Sequence, residues 1–440
     1  MAAFVVAAGA WSCLSAGPPL AAQSALAAAT SSVERPAPPP PRDDGRLPET
    51  VTPVHYDLTL GIDPSTPRFW GRTVIAVDVP APTWDVVLDG RDLTITSAKA
   101  ALASGSVIEA RVMPRAAHGS VVPDELVLSF AQPLPQGAAR ITLEYSAPFG
   151  TELSGLYRVQ EDGRWYAYSQ FEATDARRAF PCFDEPGFKT PFDVRIVSPS
   201  GTIAVANSPE SPFSGQDADH AHVFATTPPL PTYLVAMAVG PFDVAEGART
   251  PVPIRMITTH GRAGMAGLAL DTAAALLEKL TAYFGIQYPY AKLDLVAVPD
   301  FSAGAMENPG LVTFRDVLLL VERERATTSL KRAQAEVIAH EFAHQWFGDL
   351  VTMQWWDDLW LNEGFATWAA AKMVDAWHPT FGATLEQIAG EQGVMDTDAL
   401  ESARAVREPV RSTSEAREAF DGVTYDKGAA VLRMLESWVG

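Results

Sequence analysis

The chain has 440 residues, 47% of them hydrophobic and 20% charged, a composition that suits a globular protein with room for two or three cores. Its 33 Lys and Arg stand against 53 Asp and Glu, for a net charge of −20, and the basic residues are scattered. That excludes nucleic acid or an anionic membrane surface as the main partner, because both need a concentrated basic face.

Residues 1–30 are Ala-rich and uncharged, and an apolar stretch followed by small residues reads as a secretory signal with cleavage near Ala22 or Ala27. Export to a periplasmic or extracellular space is the expectation, with a cytoplasmic protein the alternative if the run is no signal. No basic residue precedes Arg35. Gly17, Pro18 and Pro19 interrupt the run and no later one reaches 18 apolar residues, so no transmembrane segment is predicted. Cys13 lies in this run, which leaves Cys182 as a small buried hydrophobe. Residues 31–47, rich in proline, read as a stiff solvated linker.

From 48 to 247 the pattern is all-β, a sandwich or open curved sheet. In "VHYDLTLGI", Val54, Tyr56, Leu58 and Leu60 alternate with polar residues, the period of a half-buried strand. Further runs follow at "GRTVIAVDV", "DELVLSF", "ARITLEYSA", "PFDVRIVSP", "TIAVANS" and "YLVAMAVGPFDV", with a polar loop over 211–222. From 248 to 440 the chain turns mostly helical, giving an α+β protein overall. A helix is predicted through Leu268, Ala275, Leu276 and Leu280 with Gly285 as its stop. "LDLVAVPDF" reads as a short buried strand. A long helix begins at Thr328 or Ser329 and is stopped by Gly348; two more begin near Asn362 and Thr424.

The long helix contains "HEFAH". Positions i and i+4 lie on one helix face, so His340 and His344 present two imidazoles one turn apart, suited to two sites around a tetrahedral zinc ion. Core histidines held by hydrogen bonds are the alternative. Glu341 projects about 100° around the helix, placed to reach a water rather than the metal. Glu363 in "WLNEGFATW" follows His344 by nineteen residues at the start of the next helix. It is either a third ligand or a carboxylate complementing the helix dipole. Two His and one carboxylate would leave an open position, the pattern of a catalytic zinc, with Glu341 as general base toward the activated water. Five tryptophans, Trp346, Trp355, Trp356, Trp360 and Trp368, read as packing around this region.

"GAMENPGL", "HEFAHQWFGDLVT", "WLNEGFATW" and "YDKGAAVLRMLESW", in that order and spacing, resemble the gluzincin aminopeptidases of the M1 type from about Val54 onward. The resemblance implies a thermolysin-like catalytic domain behind an N-terminal β domain, and one Zn2+ held by His340, His344 and Glu363, with Glu341 as base. It implies that Tyr425 donates a hydrogen bond to the oxyanion. Gly304, Ala305, Met306, Glu307 and Asn308 match the exopeptidase motif whose backbone and Glu line the site. "SQFEATDARRAFPCFDEP" matches the segment that contributes Gln170 and Glu172. Glu307 with Glu172 would then bind a substrate's free α-ammonium by charge-assisted hydrogen bonds, each worth roughly 1.5–3 kcal/mol. Such a site accepts only peptides with a free N-terminus. The chain departs from the family pattern at Asp357 and at Phe314, Arg315 and Asp316. Family members continue well beyond this length, so a fragment of a longer enzyme is expected.

Other readings are a thermolysin-like endopeptidase, which Glu307 and Glu172 oppose, and a leukotriene-type epoxide hydrolase, in which Gln is expected where Glu172 stands. An inactive scaffold or fragment that keeps the fold is the third. Side-chain preference at the first substrate position and oligomeric state are not legible.

Overall fold

A computed structural model describes residues 35–115, 124–212 and 220–439. The predicted signal over 1–30, Cys13 and most of the 211–222 loop lie outside the described residues. The chain divides into two units, 1–37 and 38–440. In the first, residues 35–37 carry no regular secondary structure. In the second, residues 38–46 are exposed or half-buried, and the segment is held at two points: Arg115 donates to the Pro39 carbonyl and Leu47 is buried.

Among the described residues three sheets form. The largest has ten strands, with Thr52–Gly61 at its middle between Arg68–Val79 (antiparallel) and Phe192–Val197 (parallel). Tyr56, Leu58 and Leu60 point into the core as their alternation predicts. Val54 does not; it is exposed, because the register shifts between Pro53 and His55. A bulge of one residue there reverses the side of everything before it, and Pro53 is buried instead.

The second sheet has four strands, in the order Ile203–Ala206, Met237–Gly240, Arg164–Gln170, Gly155–Glu161. The run "YLVAMAVGPFDV" is not one strand: Thr232–Leu234 is a 3-10 turn, followed by separate strands Met237–Gly240 and Asp243–Glu246. Two side chains take its backbone donors, Asn207 that of Ala236 and Ser169 that of Met237. The third sheet has five strands, in the order Asp243–Glu246, Ile254–Thr258, Leu293–Val298, Leu311–Arg315, Ala305–Met306. Every residue of Leu293–Val298 is buried, as expected of a central strand paired in parallel on both sides.

The helices are α1 (Gly267–Phe284), α2 (Asp316–Leu319), α3 (Thr328–His344), α4 (Leu359–Trp377), α5 (Ala383–Asp398), α6 (Thr413–Glu418) and α7 (Gly428–Val439). Gly285 ends α1 in the left-handed region at φ 64°. The buried face of α1 runs through Ala269, Ala273, Leu276 and Leu280, with Leu268 and Ala275 at its margin. Thr327, rather than Thr328 or Ser329, caps α3, its side chain accepting from the Leu330 amide. Helix α4 begins at Leu359, a turn earlier than predicted, and packs against α3. The sequence reading omits α5, whose interior carries Gly390 and Gly393 and which buries only Ala383 and Glu391. Near Thr424 the chain makes a π turn, Val423–Lys427, before α7. No helix among the described residues is long and apolar enough to cross a membrane.

The segment 304–310 is pinned from both sides. Asn207 donates to the Pro309 carbonyl at 3.0 Å and Lys292 to the Gly310 carbonyl at 2.6 Å. Gly310 has φ 70°, and a Cβ there would lie 2.3 Å from the Asn207 carbonyl oxygen, so only glycine fits.

Candidate metal centre and substrate cavity

His340 and His344 leave the last turn of α3, and Glu363 leaves the first turns of α4 beside it. The His340 and His344 Nε2 atoms are 3.0 Å apart, and Glu363 Oε2 is 3.2 Å from the first and 3.4 Å from the second. Bonds of about 2.0–2.1 Å at tetrahedral angles need ligand atoms about 3.3 Å apart, so the three atoms already have the spacing of three corners around one ion. Two imidazole nitrogens facing each other are otherwise a poor arrangement, since at most one hydrogen bond can join them.

The outer nitrogens are also engaged. His344 Nδ1 lies 3.0 Å from Asn362 Oδ1 and 3.3 Å from the Phe347 carbonyl, both acceptors, so Nδ1 carries a hydrogen and Nε2 is the nitrogen turned to the cluster. His340 Nδ1 faces the Thr367 hydroxyl at 3.5 Å. The donor set and its outer bonds fit a divalent metal.

Charge follows the same geometry. Burial pulls His340 below its ordinary range in spite of Glu363, keeping it neutral. Burial also opposes a charge on His344, but Glu307 and Glu363 outweigh it and hold that imidazole well above its usual range. Burial would raise Glu363, yet the two histidines bring it down to about 2.

A cavity of about 960 Å³ opens onto this cluster. Gln170, Glu172, Gly304, Ala305, Glu307, Glu341 and Tyr425 all line it. Carboxylate oxygens of Glu172, Glu307 and Glu363 lie within 4.8 Å of one another. Burial, then the neighbouring carboxylates, pushes Glu172 well above the ordinary carboxylate range. Burial lifts Glu307 too, against the pull of His344, and lifts Glu341 in the same way. Acids crowded and dehydrated like this are re-ionised by an incoming cation.

Tyr425, on the π turn, stacks on His340 with ring centroids 6.0 Å apart. Burial raises its hydroxyl well above the usual range, helped by Glu363 and the other carboxylates. It is therefore a neutral donor.

Two sequence-predicted residues stand elsewhere. Met306 and Asn308 are buried behind the cavity wall rather than lining it. The Met306 sulfur accepts from Gln170 Nε2 at 3.4 Å, and Asn308 Nδ2 meets Thr313 Oγ1 at 3.4 Å. The alternation of a short strand, Ala305–Met306, turns Met306 inward. None of the five tryptophans lines the cavity; Trp346, Trp355 and Trp356 are buried. Sequence reasoning missed Asn362 and Gln345. Asn362 stands directly before Glu363 in "WLNEG" and Gln345 directly after His344, and adjacency to a ligand is the signal that marks them.

Residues 52–234 match the peptidase M1 N-terminal domain, and residues 268–440 match the peptidase family M1 domain. Aminopeptidase M1-B of Oryza sativa subsp. japonica is 37% identical over 405 residues, covering 91% of this chain and 45% of the relative. Endoplasmic reticulum aminopeptidase 1 of Mus musculus is 37% identical over 413 residues, 91% of this chain and 44% of its own length. The mitochondrial aminopeptidase 2 of Saccharomyces cerevisiae is 37% identical over 407 residues, 90% of this chain and 42% of its own. The chain thus spans somewhat less than half the length of these relatives. With both domain models matched in order along one chain, this protein belongs to peptidase family M1.

Proposed function

We propose that this chain carries the working site of a zinc-dependent aminopeptidase, which hydrolyses the first peptide bond of substrates with a free N-terminus. One observation carries the reading. The cavity that opens onto the His340–His344–Glu363 cluster also holds a second carboxylate pair, Glu172 and Glu307, within 4.8 Å of the ligand Glu363. A cation site beside a metal site suits a substrate whose positive group is adjacent to its scissile bond.

His340, His344 and Glu363 would hold a zinc ion, which would supply Lewis-acid chemistry for a carbonyl and for a water near neutral pH. Glu172 and Glu307 accept hydrogen bonds from the α-ammonium and fix the first residue in place. Glu341 takes a proton from the attacking water as the new C–O bond forms, and returns it to the amine nitrogen as the C–N bond breaks. The Tyr425 hydroxyl donates to the oxygen that gains charge. Gln170, Gly304 and Ala305 shape the wall around the first side chain.

The β part over 48–247 and a thermolysin-like part over 248–440 form the domain division of this reading, and the apolar, small-residue composition of residues 1–30 supports export as its location. The relatives' names, which include aminopeptidases of plants, of the endoplasmic reticulum and of mitochondria, support the activity and leave location open among compartments.

The test is hydrolysis of a leucyl or alanyl chromogenic amide against its N-acetylated twin, with chelator and then with zinc restored. Cleavage of the free amine alone, abolished by chelator and regained with zinc, is expected. Equal cleavage of both substrates would overturn the exopeptidase role of Glu172 and Glu307.

A further inference from the structure

Asn362 stands between the two halves of this site. Its Nδ2 meets Glu307 Oε1 at 3.2 Å, and its Oδ1 meets His344 Nδ1 at 3.0 Å. Only one orientation of the amide serves both neighbours. The NH2 end alone can donate to a carboxylate, so the carbonyl end must face the imidazole. That carbonyl can only accept, which places the His344 hydrogen on Nδ1.

The surroundings are built to allow this bond. Asn362 is 3% exposed, so water cannot substitute freely for it. Gly348 has φ 138°, and a Cβ at that position would lie 2.2 Å from Asn362 Oδ1 and 3.1 Å from His344 Nδ1. Any larger residue at 348 would push the amide and the imidazole apart. The Phe347 carbonyl offers His344 Nδ1 a longer alternative at 3.3 Å, which shares the hydrogen without reaching Glu307.

We propose that Asn362 is a positioning residue that couples amine recognition to metal binding, one amide orienting Glu307 for the substrate's ammonium group and fixing His344 as an Nε2 ligand. Its amine half rests on the aminopeptidase reading above; its metal half does not. Because the carboxylate polarises the amide and the amide the imidazole, the three groups strengthen one another as a chain. Replacing the middle member therefore affects both ends, and the choice of replacement can separate them.

The experiment uses the whole chain and two variants. Asn362→Asp keeps an acceptor for His344 Nδ1–H, loses the donor to Glu307 and sets a like charge against it. Asn362→Ala loses both contacts. Zinc affinity is read by competition with a chromogenic chelator, the His344 tautomer by 15N chemical shifts of the zinc-free chain at alkaline pH, and amine recognition by KM and kcat on the free leucyl amide.

The alanine variant should bind zinc roughly 10–100-fold more weakly and show a mixture of His344 tautomers. The aspartate variant should keep zinc affinity and the Nδ1–H tautomer. Both should raise KM on the order of tenfold or more, as expected when a charge-assisted hydrogen bond is weakened, with kcat better preserved in the aspartate variant. Wild-type zinc affinity and an unchanged tautomer in the alanine variant would overturn the proposal. So would equal loss of zinc by both variants. Should the alanine variant fail to fold, the aspartate variant decides alone: it must keep zinc and lose amine recognition. A wild-type chain that binds no zinc would sink the functional reading, while the tautomer measurement would still decide this one.

Discussion

The Gln345 side chain donates to the Glu307 backbone carbonyl at 2.6 Å, tying the helix that carries His340 and His344 to the segment that carries the proposed amine anchor. The same NH2 group reaches the Glu341 carbonyl at 3.2 Å, and its Oε1 accepts from the Tyr288 hydroxyl at 3.2 Å. Gln345 has no exposed surface. Its bonds span three pieces of chain distant in sequence, and each would be left short of a partner by truncation.

Gln345→Ala should therefore cost about 1–3 kcal/mol for buried groups left unpaired. It should also loosen Glu307 and raise KM for free-amine substrates more than it lowers kcat. Denaturant unfolding and steady-state kinetics on one preparation check both. An unchanged KM would mean that Asn362 and the pinned 304–310 backbone hold Glu307 without help.

Glu341→Gln separates metal binding from chemistry. Glu341 shares no described bond with His340, His344 or Glu363, so zinc content by elemental analysis should stay at one per chain. Loss of the base should lower kcat by 10²–10⁴-fold. Loss of zinc together with activity would instead place Glu341 among the ligands.

Tyr425→Phe keeps the ring stacked on His340 and removes only the hydroxyl. If that hydroxyl serves the developing oxyanion, kcat should fall by roughly 10²–10³-fold with little change in KM. A rise in KM at constant kcat would assign it to ground-state binding of substrate.

Acid stability should depend on Asp294. It is fully buried and gripped by Arg255 at 2.8 and 2.6 Å and by Lys292 at 2.8 Å. Burial would raise its carboxyl, but Lys292 and Arg255 outweigh burial and hold it below the usual carboxylate range. For Lys292 the balance falls the other way, burial pulling the ammonium down in spite of Asp294. With two cations on one carboxylate, the ionised state of Asp294 is the firmer of the two.

A depressed carboxylate adds stability that is fully present above its unfolded value near 4 and is lost as pH falls through its folded value. The wild type should thus lose stability below about pH 4, and Asp294→Asn should show a flatter acid limb there. At neutral pH the variant should be about 3–5 kcal/mol less stable, because Lys292 is left buried without its counter-charge. Urea midpoints between pH 3 and 7 would show it; equal acid limbs would remove Asp294 from the account. Lys292 also holds the Gly310 carbonyl, so the same variant should lose activity before it unfolds.

The parts legible in the sequence are those set by local geometry. Helical spacing alone puts His340 and His344 on one face, alternation alone buries Tyr56, Leu58 and Leu60, and Gly285 stops α1 because only its backbone takes the required turn. The order of the four motifs, "GAMENPGL" to "YDKG", carried the family and with it Tyr425 and Glu172, which no local pattern singles out. Where the local rule met a tertiary exception it failed, at Val54 beside a bulge and at α5, whose glycines and thin buried face give it little signal.

What the tertiary structure decided is which side chains share a hydrogen. Asn362 lies next to Glu363 in sequence, yet its partners are His344, on a different helix, and Glu307, on a loop beside the third sheet. Gln345 joins Glu307 and Tyr288, and Lys292 joins Asp294 and Gly310. Hydrogen bonds of this kind depend on a few tenths of an ångström across elements brought together by packing, a length that residue type and spacing do not encode. The sequence by itself determined that His340 and His344 share a face with Glu341 beside them, since one helix suffices to place all three. Only the folded chain decided how Glu307, the proposed amine anchor, and Glu363, from the neighbouring helix, are fastened to them.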